Sequence, residues 1–166
     1  MAILNILEYP DERLHKVAES VVDIDPELEK LAKDMAETMY LNKGIGLAAT
    51  QVNVHKRLIV IDTSEEKNNL ITLINPVLER HNGIQEYAEG CLSVPGIFEK
   101  VKRYEKITVS YIDLNGKKKS INADGLLSVC IQHEMDHLLG KVFVDYLSQL
   151  KKTRIKTKLS KLNNKK

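Results

Sequence analysis

The stretch DGLLSVCIQHEMDHLLG, residues 124–140, decides how this chain is organised, because it predicts a helix that carries two potential metal ligands. Asp124 is a residue that commonly caps the start of a helix, and Gly140 is one that commonly follows its end. A helix is therefore predicted over residues 125–139. Within it, His133 and His137 are four positions apart, so their imidazoles project from one face and can bind one ion.

The residue after the first histidine, Glu134, completes a His-Glu-x-x-His motif. On a helix its carboxylate is rotated away from the two histidines, where it can exchange a proton with a water beside a bound ion. This combination favours a catalytic site over two incidental histidines. In the zinc proteases that use this motif the third ligand lies downstream. Here no His or Glu follows His137, and Asp145 is the only acid there, so a metalloprotease is the weaker alternative.

A catalytic site of this kind needs three protein ligands and one position left for water. The segment EGCLSVPG, residues 89–96, contains Cys91 beside Gly90, a residue that lets the backbone approach another group closely. Cys130, three residues before His133, is better explained as a small buried side chain. Cys91 is therefore the candidate third ligand. A further alternative is a ribosome-associated module whose metal is only structural. It predicts a closed site with four ligands, and Cys130 is the only spare thiol that could supply the fourth.

The rest of the chain predicts an α+β fold. A first helix begins after Asp25 with Pro26 at its first position and is expected to end near residues 42–44. Short β-branched stretches then predict antiparallel strands over residues 58–62, 70–75, 77–81 and 106–113, separated by turns at Asn75-Pro76, Asn82-Gly83 and Asn115-Gly116. We expect antiparallel sheets around a central metal-binding helix, with a further C-terminal helix that starts near Ser148.

Composition places the chain among ordinary globular proteins. Its 166 residues are 43% hydrophobic and 29% charged, and the most apolar run, residues 58–61, is far too short to cross a membrane. The first residues do not form a secretory signal, so a cytoplasmic location is expected. We expect residues 1–147 to form the catalytic domain and residues 148–166 a basic amphipathic helix of that same single domain.

Three segments in this order resemble the peptide deformylase family: GIGLAATQ (residues 44–51), EGCLS (residues 89–93) and QHEMDHLLG (residues 132–140). The resemblance extends to residues 9–14 and 124–148, and covers most of residues 1–150. It implies an enzyme that removes the formyl group from the N-terminal formylmethionine of nascent polypeptides and releases formate.

The resemblance also implies a role for each matching residue. The metal ligands would be Cys91, His133 and His137, and Glu134 would be the general acid and base. The ion would be divalent, with Fe²⁺ as the native metal and Zn²⁺, Ni²⁺ or Co²⁺ as substitutes. Such an ion lowers the pKa of its water from 15.7 toward about 7.

Around the substrate, the resemblance implies that the Gln51 side-chain amide and the Leu92 backbone N–H surround the formyl oxygen. The peptide would lie beside Gly44, Ile45 and Gly46 as an added strand. The methionine pocket would be lined by Ile45, Leu126, Val129, Cys130 and His133. Apart from the resemblance, Glu89 and Asp136 could orient a histidine or could form ordinary salt bridges.

The C-terminal segment is strongly basic. Residues 151–166 contain eight Lys or Arg and no acid, which leaves 17 basic against 23 acidic residues elsewhere. The lysines could simply form a solvated helix face, or they could bind ribosomal RNA phosphates near the peptide exit, as the resemblance implies. A membrane-surface helix is less favoured, because the apolar stripe lacks aromatic anchors.

Overall fold

The computed structural model describes residues 2–164 and shows an α+β fold, as predicted. Its α-helices are α1 (Pro26–Leu41), α2 (Gly125–Leu138) and α3 (Gln149–Asn164). Its strands are β1 (Gly46–Ala48), β2 (Leu58–Ile61), β3 (Ile71–Cys91), β4 (Val94–Ile112) and β5 (Lys118–Asp124). Short 3₁₀-helices occupy Glu12–His15, Ala49–Val52 and Phe143–Tyr146.

The five strands form one antiparallel sheet in the order β1-β2-β3-β4-β5. The hairpin of β3 and β4 is unusually long, and its last pair joins Cys91 to Val94. Cys91 therefore lies at the hairpin tip, next to the turn, where its side chain can reach a group outside the sheet.

The structure corrects the predicted turns around β3. Residues 70–75 and 77–81 were expected to be separate strands, but β3 runs continuously from Ile71 to Cys91. Asn75 has a φ of 51°, and the register shifts between Ile74 and Val77, so Asn75-Pro76 forms a bulge instead of a turn. The Asn75 side chain bonds both the N–H and the C=O of Val21, which holds this bulge against the N-terminal segment.

Two further strand predictions differ from the structure. The Asn82-Gly83 pair, predicted as a turn, lies inside β3, although Gly83 does adopt a positive φ of 72°. Strand β4 begins at Val94, well before the predicted start at residue 106, and β5 was not predicted. These strands contain many charged residues because much of the hairpin is exposed, so the apolar pattern used for prediction was absent.

Both interior helices begin where the sequence predicts. The Asp25 side chain accepts a hydrogen bond of 2.9 Å from the Leu28 N–H at the start of α1. At its end, within the predicted residues 42–44, Lys43 adopts the left-handed conformation with a φ of 59°. Asp124 precedes α2 in an extended conformation, but its side chain makes no capping hydrogen bond.

Helix α2 packs across the sheet through a core cluster formed by side chains of the helix and of the strands. From the helix come Cys130, Ile131 and Leu138, and from the sheet come Ile59, Ile61, Leu73, Ile107, Val109 and Ala123. Each fully buried Ile, Leu or Val side chain among them stabilises the fold by about 1.5–3 kcal/mol relative to exposure. The backbone that carries the two histidines is therefore held firmly against the sheet.

Helix α3 begins at Gln149, close to the predicted start. Ile155 and Leu159 are buried in a cluster with Leu7, Phe143 and Val144, whereas the other α3 side chains described are largely exposed. Within residues 2–164, no helix combines the length and apolar character needed to cross a membrane.

Candidate active site

Three potential metal ligands converge where the β3–β4 hairpin tip meets α2. Cys91 Sγ lies 3.4 Å from His137 Nε2, which lies 3.3 Å from His133 Nε2. All three ligand atoms lie within 4.8 Å of one another. Ligand atoms that share one tetrahedral ion at about 2.0–2.3 Å lie about 3.3–3.8 Å apart. The spacing and the sulfur-nitrogen donor set therefore fit a single transition-metal ion.

The orientation of His133 is set by Glu89. His133 Nδ1 lies 2.8 Å from Glu89 Oε1, and Arg103 binds the same carboxylate through Nε at 2.8 Å and Nη2 at 2.9 Å. Burial alone would raise the Glu89 pKa, but hydrogen bonds from Arg103 and His133 lower it below its usual value. Glu89 is thus ionised and accepts the Nδ1 proton, which leaves the Nε2 lone pair free to bind a metal.

The two histidines experience different electrostatic environments. Burial lowers the pKa of His137 well below its ordinary value, and the nearby positive charges act in the same direction. Burial also opposes the charged form of His133, but the negative charges of Cys91 and Glu134 outweigh it and raise the pKa of His133 well above its ordinary value. The negative charges around His133 therefore stabilise a positive charge at that position, whereas His137 stays neutral and keeps a lone pair that can bind an ion.

Glu134 is buried directly beside this cluster. Its side chain is 4% exposed, and its Oε1 atom has no hydrogen-bond partner among the described residues. Burial raises its pKa to about 7; His133 acts in the opposite direction, and the negative charge of Glu89 acts in the same direction as burial. A carboxyl group with this pKa can both accept and donate a proton at neutral pH.

The space beside Glu134 exists because residue 46 is glycine. A Cβ atom at Gly46 would lie 2.5 Å from Glu134 Oε2 and 2.9 Å from Cys130 Sγ. Cys130 itself lies outside the group of ligand atoms, with its Sγ 3.8 Å from the Ile45 carbonyl oxygen, and burial raises the pKa of its thiol well above the usual value. Its geometry is that of a neutral, packed thiol.

The Gln51 amide is held in a defined orientation. Its Oε1 accepts a hydrogen bond of 2.9 Å from the Ala48 N–H, so its Nε2 donates in the other direction. Nε2 donates to Ser93 Oγ at 3.0 Å and lies 3.5 Å from Cys91 Sγ. An amide N–H donor is thus placed next to the candidate metal ligand.

An open cleft of about 870 Å³ leads to these groups. Its wall includes the three residues expected to lie beside the peptide, together with residues of the hairpin tip and of α2: Gly44, Ile45, Gly46, Cys91, Leu92, His133 and Glu134. A smaller cavity of about 90 Å³ adjoins it and contains the other predicted pocket residues, Leu126, Val129 and Cys130, with Ile45, His133 and Glu134 shared by both. Gln51 and His137 line neither cavity but lie against Cys91, so the structure places all the predicted site residues around one centre.

Sequence reasoning missed Ser93, which contacts Gln51, and Arg103, which contacts Glu89. It also missed Tyr146, which contacts Arg103 and Asp136. Arg103 is 6% exposed and bridges Glu89 and Asp136. Of the two predicted carboxylates, Glu89 touches a histidine, and Asp136 binds Arg103 and Tyr146 instead. The sequence held one indication that Arg103 is buried. It lies two residues after the apolar Val101 in a strand, on the inward side where a charge is unusual.

Comparisons with known proteins agree with this geometry. The sequence model of the polypeptide deformylase family matches residues 3–153. Peptide deformylase 1 of Burkholderia multivorans is 58% identical over 163 residues, which are 98% of this chain and 90% of the relative.

Among solved structures, a peptide deformylase from Legionella pneumophila superposes with a TM-score of 0.95 at 47% identity, covering 98% of this chain and 96% of the other. A peptide deformylase from Ehrlichia chaffeensis in complex with actinonin superposes with a TM-score of 0.94 at 42% identity, covering 97% and 98% of the two chains.

Proposed function

This chain belongs to the polypeptide deformylase family, and on that premise we propose a role for each of its site residues. The protein is a metal-dependent hydrolase that removes the formyl group from the N-terminal formylmethionine of nascent polypeptides and releases formate. Neither alternative raised by the sequence, a metalloprotease or a ribosome-associated module with a structural metal, receives support from the comparisons.

One observation carries the assignment of residues: three ligand atoms converge beside a buried carboxyl group with an unpartnered oxygen. We assign metal binding to Cys91, His133 and His137. Within residues 2–164, no other His, Cys, Asp or Glu belongs to this group, which supports an ion with a position left for water or substrate.

When bound, the ion supplies a Lewis acid that polarises the formyl carbonyl and makes water a better nucleophile at neutral pH. A thiolate with two imidazoles suits first-row transition metals such as iron, cobalt, nickel and zinc better than magnesium or calcium. Within that group we propose Fe²⁺ as the native ion, on the family resemblance, with Zn²⁺, Ni²⁺ or Co²⁺ as substitutes. Metal analysis of protein purified without oxygen tests this choice.

Glu134 accepts a proton at its buried carboxylate when water attacks the formyl carbon, and returns a proton to the departing amine nitrogen. Gln51 Nε2 and the Leu92 backbone N–H donate to the formyl oxygen as negative charge develops on it. One such donor contributes about 3 kcal/mol to the stabilisation of the transition state.

Substrate binding is assigned to the two adjoining cavities. Gly44, Ile45 and Gly46 border the large cleft, where an extended peptide can lie along the free edge of β1. The smaller cavity is lined by apolar groups of Ile45, Leu126, Val129 and Cys130, so it suits an unbranched apolar side chain such as methionine.

Two cysteine variants test the site against the structural-metal alternative. We expect Cys91→Ala to lose the stoichiometric metal and formate release from formyl-Met-Ala, because one of three ligands is removed. The matched control Cys130→Ala, which alters the only other thiol in the sequence, should retain the metal. If Cys130→Ala also loses the metal, the site has a fourth protein ligand and the structural-metal alternative is supported; if Cys91→Ala keeps the metal, Cys91 is not a ligand.

We also propose that α3 binds the ribosome. This helix carries six basic residues: Lys151, Lys152, Arg154, Lys156, Lys158 and Lys161. Lys165 and Lys166 lie outside the described residues.

Since α3 packs on the body through Ile155 and Leu159, we treat residues 1–147 and 148–166 as one domain. The substrates of this enzyme are nascent polypeptides, which supports a cytoplasmic location.

Sedimentation with ribosomes tests the proposed partner. Binding through lysines to RNA phosphates should weaken steeply between about 50 and 200 mM salt, because it depends on counterion release. Binding that is unchanged over this range, or that survives removal of residues 151–166, would exclude the basic helix as the contact.

A further inference from the structure

A continuous set of polar contacts links the candidate metal ligand His133 to the protein surface. Glu89 Oε1 accepts from both His133 Nδ1 and Arg103 Nη2. Arg103 then uses its remaining nitrogen, Nη1, to bind Asp136 Oδ2. Asp136 is therefore three contacts away from His133, although it lies only one residue before the ligand His137 in the sequence.

The set ends at Tyr146, which makes two contacts with it. The Tyr146 hydroxyl donates a hydrogen bond of 2.8 Å to Asp136 Oδ2, the same oxygen that Arg103 binds. The Tyr146 ring centroid lies 5.1 Å from the guanidinium carbon of Arg103, within the range of a cation–π interaction. Tyr146 thus contacts both the guanidinium and the carboxylate that pairs with it.

These contacts matter because Arg103 is buried between two carboxylates. Its side chain is 5% exposed, and those of Glu89 and Asp136 are 4% and 16% exposed. Glu89 and Asp136 hold the guanidinium from opposite ends of its fork, so a rotation of Asp136 would shift Arg103 and then Glu89. The Tyr146 hydroxyl restricts that rotation, and its donated hydrogen bond stabilises the second negative charge.

We propose that Tyr146 is a positioning residue for the metal site, which acts through Asp136, Arg103 and Glu89 to fix the orientation of His133. The inference rests on the proposed assignment of His133 as a ligand. Partners of metal-binding histidines commonly tune both affinity and ligand geometry. Tyr146 would extend that influence from the buried carboxylate to a half-exposed side chain.

The position of Tyr146 makes the proposal testable without disturbing the substrate cleft. Tyr146 lines a separate surface cavity of about 410 Å³ on another face of α2, with Gln132, Met135 and Leu139. This cavity shares no lining residue with the cleft or with the smaller pocket beside it. A substitution at Tyr146 therefore leaves the lining of the cleft unchanged and can affect the metal ligands only through the residues between them.

The test compares Co²⁺ binding by the full-length wild type and Tyr146→Phe. The variant keeps the ring over Arg103 and removes the hydrogen bond to Asp136. We expect Co²⁺ affinity, measured by competition with a chelator, to fall about three- to tenfold, which is less than the 10–100-fold effect of losing a direct partner of a ligand. The visible absorption bands of the bound Co²⁺ should also change in position or intensity.

Tyr111→Phe is the matched control, because Tyr111 lines a different surface cavity that contains no site residue. Its Co²⁺ affinity and spectrum should equal those of the wild type. Thermal unfolding of the metal-free proteins separates stability from positioning: a lower melting temperature in Tyr146→Phe with unchanged Co²⁺ affinity and spectrum would overturn the proposal.

Two additional results complete the test. Tyr146→Ala, which also removes the ring, should weaken Co²⁺ binding at least as much as Tyr146→Phe, and wild-type behaviour of this variant would contradict the proposal. If the wild type itself bound Co²⁺ without the absorption expected of a cysteine ligand, the proposed metal site would fail. That outcome is distinct from failure of the role of Tyr146, which requires normal wild-type binding.

Discussion

Helices α2 and α3 are of similar length but use their polar residues in opposite ways. On α2, Ser128, His133, Glu134 and His137 are buried among apolar side chains. On α3, the lysines are largely exposed, and Ile155 and Leu159 alone are buried among the side chains described there. Both helices contain apolar and ionisable residues, yet of the two only α2 places ionisable groups where water does not screen them.

The difference shows that α2 carries a cost in folding free energy for its functional groups, whereas α3 does not. A buried carboxyl group without a partner is unfavourable, because burial of a polar group costs free energy unless a hydrogen bond compensates it. Glu134 has such an atom, because its Oε1 has no hydrogen-bond partner within residues 2–164, and the core around α2 must offset this cost. The exposed charges of α3 carry no comparable cost, so substitutions on the two helices should have very different consequences.

The largest expected effect is on turnover in Glu134→Gln. The glutamine amide fits the same space but cannot accept and return the proton, so kcat for formyl-Met-Ala should fall by about 10²–10⁴-fold. Metal content should remain stoichiometric, because Glu134 is not assigned as a ligand. A variant with wild-type kcat would remove Glu134 from its proposed role, and a variant without metal would show that the loss has another cause.

The next effect concerns stability and pH in the metal-free protein. Burial raises the Glu134 pKa from 4.5 to about 7, so the folded state holds this proton more tightly than the unfolded state does. Wild-type stability should therefore decline as pH rises from about 4.5 to 7, by about 3 kcal/mol through this group. Below pH 4.5 the carboxyl group is protonated in both the folded and the unfolded state, so stability no longer changes with pH through this group.

Glu134→Gln lacks this titration and provides the comparison. Its free energy of unfolding relative to the wild type should increase between pH 5 and pH 8, as measured by urea unfolding without metal. A stability difference that is the same at both pH values would show that the buried carboxyl group has an ordinary pKa.

A smaller effect is expected in the core contact of α3. Ile155→Val removes one methylene group from a side chain that is 4% exposed, which should lower the free energy of unfolding by about 1 kcal/mol. Unfolding should remain a single transition if α3 belongs to the same domain as the rest of the chain. Loss of α3 in a separate, earlier transition would contradict the one-domain proposal.

The sequence predicts the part of the site that depends on local spacing. His133, Glu134 and His137 follow from the geometry of a helix, and the end of α1 and the start of α3 were placed to within about a turn. Cys91 was suggested as the third ligand by its position beside Gly90, but its convergence on the histidines depends on the β3–β4 hairpin tip, which no local pattern predicts.

Contacts that depend on strand register could not be predicted. Arg103 meets Glu89 because the β3–β4 hairpin pairs Arg103 with Gln85 and Glu89 with Glu99, and because α2 packs over it. Asn75-Pro76 and Asn82-Gly83 are typical turn sequences, and their placement inside β3 reflects tertiary contacts, such as that of Asn75 with Val21. Nothing local distinguishes a bulge of this kind from a turn.

The smallest effect is expected on the exposed face of α3. Lys156→Gln combined with Lys161→Gln removes two exposed charges, and neither lysine lines the substrate cleft. Exposed surface substitutions usually change stability by less than about 0.5 kcal/mol each, so formate release from formyl-Met-Ala should stay within about twofold of wild type. Ribosome sedimentation at low salt should nevertheless weaken, since fewer phosphates are neutralised. If turnover of this small substrate fell strongly instead, the charges of α3 would act on the active site, and the contrast between the two helices would not hold.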